Sequence, residues 1–258
     1  MSPEFRLQII VTMIFLASAI ATVAFVIAMP GGMAMPGGWE MSMMWMLMPN
    51  QTWLSAAALF VAMWAAMMVT MMLPSTLPLL ELFQRTLRFR GGARVGQLTA
   101  WLGVGYLSAW LAFGGLAYAT GVAIGSIAMA SAPISRLVPV AAGAALLLAG
   151  VYQFTPWKRA CLTRCRNPVS ILSRHLSTSR RGALRLGLIH GGFCVGCCWG
   201  LMLMQLVLGI MSLVAMVLVA SVIAAEKLLP RGETIAKITG AVAIVAGIAT
   251  MAMASGVL

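Results

Sequence analysis

The stretch Leu7-Gln-Ile-Ile-Val-Thr-Met-Ile-Phe-Leu-Ala-Ser-Ala-Ile-Ala-Thr-Val-Ala-Phe-Val-Ile-Ala28 decides the fold class, because it runs 22 residues without a charge. About 20 apolar residues, each rising ~1.5 Å in an α-helix, cross a hydrocarbon core of ~30 Å. The apolar part of a secretory signal is only ~7–15 residues long. Further apolar runs also follow, so this one reads as a first membrane span and not a cleaved leader. The others are Trp53–Leu73, Gly96–Gly121, Leu137–Phe154, Arg185–Leu208, Ile210–Glu226 and Ile235–Val257. The fifth and sixth are nearly continuous, joined at Gly209 by a minimal turn, and a single long re-entrant pair would give the same pattern. The expected fold is all-α: a polytopic transmembrane helix bundle of about seven spans, with six to eight compatible. Residues 1–258 form a single membrane domain, and no period of 20–50 residues repeats along it.

Composition leads to the same place. The chain has 258 residues, 62% of them hydrophobic and 9% charged, where a soluble domain carries ~25% charged residues. Only Glu4, Glu40, Glu81, Glu226 and Glu233 are acidic, and there is no Asp. That argues against chemistry on paired carboxylates and against a Ca²⁺ or Mg²⁺ cage of hard oxygens.

The net charge of +12 is set by topology. Arg6 precedes span 1, and Arg85, Arg88, Arg90 and Arg94 follow span 2. Lys158, Arg159, Arg164, Arg166, Arg174, Arg180, Arg181 and Arg185 lie between spans 4 and 5, and Lys227, Arg231 and Lys237 between spans 6 and 7. Of the 17 basic residues only Arg136 falls on the other side. The positive-inside rule puts the N-terminus in the cytoplasm and the C-terminus outside, in a multi-pass protein of the bacterial inner membrane. Contact with anionic lipids is a minor addition, and no nucleic acid is needed.

Between spans 1 and 2, in an extracytoplasmic loop over 29–52, lies Met29-Pro-Gly-Gly-Met-Ala-Met-Pro-Gly-Gly-Trp-Glu-Met-Ser-Met-Met-Trp-Met-Leu-Met48. Met29, Met33, Met35, Met41, Met43, Met44, Met46 and Met48 are eight methionines in twenty residues. A thioether is a soft, neutral ligand that selects Cu(I), and by extension Ag(I), and it needs no deprotonation. The Pro-Gly-Gly repeats suggest a loop adaptable enough for several sulfurs to converge on one ion. The plain alternative is methionine as a flexible gap-filler. It suits Met44–Met48 on an interfacial helix better than Met29, Met33 and Met35 among Pro and Gly.

Span 5 carries His190, Cys194, Cys197, Cys198 and Gln205 within a ~100° arc of the helix. Gly192, Gly196 and Gly200 form a small-residue stripe ~150° away, suited to a close helix approach. Thiol and imidazole donors on one buried face are placed to share a soft or borderline ion. Met63, Met67, Met68, Met71 and Met72 of span 2 run through the same depth range. Met63 and Met67 stand level with Cys194 and His190 when counted at ~1.5 Å per residue. Whether spans 2 and 5 touch is open at this point. Glu226, at the inner end of span 6 beside Lys227, reads either as an ion relay or as an interfacial residue. A second thiol pair, Cys161 and Cys165, sits at i, i+4 in the basic cytoplasmic loop 155–185. Lys158, Arg159, Arg164 and Arg166 nearby favour its thiolates. His175 reads as an ordinary loop histidine.

Four blocks carry a resemblance: Met71-Met-Leu-Pro-Ser75, Tyr152-Gln-Phe-Thr-Pro-Trp-Lys-Arg-Ala-Cys161, Gly187-Leu-Ile-His-Gly-Gly-Phe-Cys-Val-Gly-Cys-Cys-Trp-Gly-Leu-Met202 and Glu226-Lys-Leu-Leu-Pro230. Over roughly residues 60–230 the chain resembles a bacterial domain-of-unknown-function family of predicted metal-binding integral membrane proteins. The resemblance implies metal binding and no particular reaction; the methionine-rich loop lies outside these blocks.

The expected function is copper(I) handling. The outer loop captures the ion, and Met63, Met67 and Met71 with His190, Cys194, Cys197 and Cys198 hold or pass it. Cys161 and Cys165 exchange it inside, or delivery ends at a copper enzyme in the membrane. The partners that fit are the metal ion, membrane lipids, and a periplasmic copper chaperone or membrane copper enzyme. Zinc is a poorer match to so many thioethers. Nothing resembles a nucleotide-binding loop, so transport would be passive, ion-coupled or partner-driven, and an enzymatic role is the weaker reading. Two alternatives stand beside it: a membrane thiol–disulfide oxidoreductase working through Cys194 and Cys197, and a structural subunit or assembly factor of a larger membrane complex.

Overall fold

The structure, a computed structural model, describes residues 3–29, 31–48, 50–92 and 94–255. Helix α1 spans Pro3–Ala28 and leads into a hairpin of β1 (Gly32–Met35) and β2 (Trp39–Ser42), followed by one 3-10 turn at Met43–Trp45. Next come α2 (Trp53–Phe89), α3 (Val95–Ala130), the short α4 (Ala132–Ser135), α5 (Val138–Tyr152), α6 (Pro156–Arg166) and α7 (Pro168–His175). The chain closes with α8 (Arg180–Gly209), α9 (Leu213–Leu228) and α10 (Gly232–Ala254). The expected end of the last span at Val257 lies outside the described residues.

Among the described residues, six helices are long and apolar enough to cross a membrane. Helix α9 is the sixth run expected from the sequence, Ile210–Glu226. At 16 residues it is about 24 Å long, short of a ~30 Å core. It still carries the chain back, because α5 and α10 run antiparallel. Gly143 faces Gly247 and Met251, while Gly150 faces Gly240 and Ile244. At the other extreme, the 37 residues of α2 are about 55 Å long and project well past a bilayer. Large apolar side chains such as Leu54, Leu116, Val214, Ile238 and Val245 are exposed around the bundle, as a lipid-facing surface requires.

The closest helix pair is α3 with α8. A Cβ on Gly105 would strike the backbone of Leu184, one on Gly187 the backbone of Leu102, and one on Gly191 would lie 2.8 Å from the Tyr106 carbonyl oxygen. Small residues let the backbones touch where lipid offers no hydrophobic drive to association. The stripe expected at Gly192, Gly196 and Gly200 serves other neighbours. Gly196 admits Cys161 of α6, Gly200 admits Ala149 and Tyr152 of α5, and Gly192 has no described neighbour within 4 Å.

Two stretches expected as loops are ordered. Residues 155–185 fold largely as α6 and α7, both opened by proline in the first turn and capped by Thr155 and Asn167, where a missing N–H costs nothing. The methionine-rich segment forms the β1–β2 hairpin, turning at Gly37 and Gly38, whose φ of +104° and +74° glycine tolerates. The hairpin is docked: the Trp39 indole donates to the Ser135 carbonyl at 3.0 Å, and the Ser135 hydroxyl donates to the Pro36 carbonyl at 2.8 Å. Met35 and Met41 are buried against Ala128.

Candidate metal centre

Helical spacing sets out the three thiols of α8. Cys194, Cys197 and Cys198 project from one face at i, i+3 and i+4, the positions that neighbour one another on a helix surface. All three are buried, and their sulfurs lie within 4.8 Å of one another. Cys197 Sγ and Cys198 Sγ are 3.3 Å apart. Twelve residues separate Cys197 from the turn at Gly209, or about 18 Å of helix.

A fourth sulfur arrives from a direction that the sequence reading did not anticipate. Helix α6 leans into the bundle and brings Cys165 Sγ to 3.6 Å from Cys197 Sγ. The two thiol sites expected separately are therefore contiguous: Cys165 joins the α8 cluster, while Cys161, one turn earlier, lines an open cavity of about 620 Å³ with Tyr152, Trp157, Arg164 and Trp199. The five cysteines are all free thiols.

Two lysines counted as solvated loop charges lie inside the protein. Lys158 of α6 is fully buried and donates to Glu226 Oε2 at 2.6 Å and to the Cys197 carbonyl at 2.5 Å. Burial pulls its ammonium down, but Cys198 and Glu226 beside it more than offset this, and its pKa stands above the ordinary lysine value. Lys227 of α9 is 9% exposed and places Nζ 2.8 Å from Cys194 Sγ, 3.4 Å from Ser75 Oγ and 3.9 Å from Met72 Sδ. The Tyr106 hydroxyl of α3 lies 3.0 Å from the same Cys194 sulfur. The remaining basic residues keep the charge asymmetry between loops that the sequence shows. Glu226, read from sequence as relay or interfacial, is fully buried, and its second oxygen, Oε1, has no hydrogen-bond partner among the described residues.

The other candidates fall into three groups. Met63, Met67, Met68, Met71 and Met72 are all buried in one apolar cluster with the three α8 cysteines, joined by Met202, Met204 and Met216. Met72 Sδ lies 3.9 Å from Lys227 Nζ, which is itself 2.8 Å from Cys194 Sγ. His190 is buried one turn before Cys194, stacked 5.7 Å from the Tyr106 ring, with Nδ1 unpartnered among the described residues. It stands outside the three-sulfur group. Gln205 is further off and donates to the Gly209 carbonyl at the α8–α9 turn. At the methionine end, Met33 faces Met41 across the hairpin. Met35, Met41 and Met44 are buried, and Met29, Met33, Met43, Met46 and Met48 are half-buried.

Sequence reasoning missed Tyr106, Lys158 and Lys227. For Lys227 a signal was present: Glu226-Lys227 closes an apolar run, and ionisable residues at membrane depth are expensive and therefore functional by default. Lys158 had none, since its burial depends on how α6 docks.

The chemistry of this donor set suits a soft ion. With metal–sulfur bonds of ~2.3 Å, two thiolates on one ion stand ~3.8 Å apart at a tetrahedral angle and ~4.6 Å apart in a linear pair. The 4.8 Å span of the three sulfurs covers that range after movements of a few tenths of an ångström.

Against known proteins, the sequence model of the PpoB2 family, described as copper chaperone, matches residues 61–250. The match covers well over half of the chain, which belongs to that family. It includes the whole thiol cluster and leaves out the methionine hairpin. No curated protein and no solved structure matches.

Proposed function

We propose that this member of the copper chaperone family takes up Cu(I) as cargo at its methionine end, holds it on Cys194, Cys197 and Cys198 with Cys165 in reach, and delivers it to a copper enzyme in the bacterial inner membrane. The observation that carries this reading is the group of three fully buried sulfurs within 4.8 Å of one another. Thiolates prefer soft monovalent ions, and burial of all three sulfurs shields them from bulk solvent. The thioethers of the hairpin, several half-buried beside Trp39 and Trp45, offer weaker neutral donors where the ion would arrive. The methionines of α2 line the way inward. A weak-to-strong gradient, thioether to thiolate, lets each station be entered and left.

The test is copper stoichiometry of the full-length, detergent-purified protein after anaerobic Cu(I) loading, compared with the triple variant Cys194→Ser/Cys197→Ser/Cys198→Ser. The reading expects bound copper in the wild type and its loss in the variant. A wild type that binds none and isolates with a Cys194–Cys197 disulfide would replace this reading with a thiol oxidoreductase.

A further inference from the structure

The ammonium of Lys227 occupies a cation site. Its three protons have three acceptors: a thiol sulfur of α8, a hydroxyl of α2 and, at longer range, a thioether of α2, which matches the donor capacity of –NH₃⁺. The position lies between the buried methionines of α2 and the thiol cluster, so an ion passing from Met72 to Cys194 must take the place that the ammonium fills. Lysine is a compact point charge on a flexible four-carbon stem, able to withdraw without losing its proton. It has somewhere to go. Glu226, the preceding residue on α9, keeps Oε1 buried and unpartnered among the described residues, while Oε2 is taken by Lys158.

Building on the copper reading above, we infer that Lys227 is a tethered cation that stands in for the cargo: it neutralises Cys194 when the thiol cluster is empty, swings to Glu226 Oε1 when a monovalent soft ion binds, and returns to help expel it. One positive charge replaces another at the same sulfur, so Cys194 is never left as an unpaired buried charge, which would be costly. No bond to carbon changes, no electron moves, the proton stays on the lysine nitrogen, and each further thiol that joins as a thiolate gives up its own proton, which balances the charge the ion brings. The arrangement explains why a lysine, ordinarily excluded from such depth, is placed against a metal-binding thiol. Lys227 is therefore a positioning residue for cargo exchange and not a ligand.

A permanent counter-ion that steadies the copper–thiolate complex and a competitor that displaces copper predict opposite signs. The discriminating experiment measures the rate of Cu(I) release from loaded full-length protein to excess bicinchoninate, for wild type, Lys227→Met and Lys227→Arg, with stoichiometry measured in parallel. In Lys227→Met, copper that departs leaves a buried thiolate with no cation to take over. Release should slow by roughly tenfold or more, given the strength of a unit charge at this range. Lys227→Arg, which keeps the charge, should stay closer to the wild type. Release that is unchanged or faster in Lys227→Met overturns the tether and leaves the copper site standing. Copper absent from the wild type, or equally retained by the triple serine variant, overturns the copper reading itself. Should Lys227→Met fail to fold, Lys227→Gln removes the charge while keeping a donor for Ser75 Oγ. Slower Cu(I) release is again expected, and release at the wild-type rate or faster would overturn the proposal.

Discussion

Lys158 and Glu226 meet at 2.6 Å with side chains 1% exposed each, so either one alone would be a buried, unpaired charge. Removing one partner of such a pair costs about 3–5 kcal/mol, whereas replacing both by neutral groups is often tolerated. Lys158→Met should therefore lower the thermal unfolding temperature in detergent sharply, and Lys158→Met/Glu226→Gln should recover much of the loss; equal destabilisation of the two variants would show that the pair is not the cause. The same residues mark the boundary of what could be read in advance. The arc of Cys194, Cys197 and Cys198 follows from helical period within one run of sequence. The partners of those thiols do not, because Tyr106, Cys165 and Lys227 come from three other helices, and only tertiary packing brings them to the sulfurs.

Helix positions were legible from apolar run length, and their ends were not. Helix α2 continues past Leu73 to Phe89 with Pro74 and Pro78 inside it. Near these prolines Ser75 and Thr76 donate to the Met72 carbonyl at 2.9 and 2.8 Å, hydroxyl back-bonding of the kind that bends helices. Helix α6 was hidden in a basic stretch because charge dominates its composition, although one face carries Lys158, Leu162 and Cys165 into the bundle. The contact of α3 with α8 is the most exposed to substitution. Gly187→Val would place side-chain atoms on the Leu102 backbone, and overpacking of this kind costs about 1–3 kcal/mol or more. It should reduce thermal stability, and copper capacity should fall with it, since Tyr106 and Cys194 face each other across that contact. Unchanged stability would mean that the two helices can separate without loss. The methionine hairpin invites a kinetic prediction. Trp39→Ala removes the bond to the Ser135 carbonyl and loosens the dock, so Cu(I) loading should slow severalfold while the amount bound at saturation stays the same. A lower saturation value would instead place part of the stored copper in the hairpin.

On the proposed function, donors of different strength serve in turn: the thioethers of the hairpin, the buried methionine series on α2, and the thiols beside Lys227. Composition made the membrane class readable, because it depends on sums over residues and not on packing. The convergence of the sulfurs required the bundle to close. Copper K-edge X-ray absorption on the anaerobically Cu(I)-loaded, full-length protein tests the central claim most directly. The account predicts a first shell of two or three sulfurs at ~2.3 Å, lost in Cys194→Ser/Cys197→Ser/Cys198→Ser. A first shell of nitrogen or oxygen, or a sulfur shell unchanged in that triple variant, would contradict it.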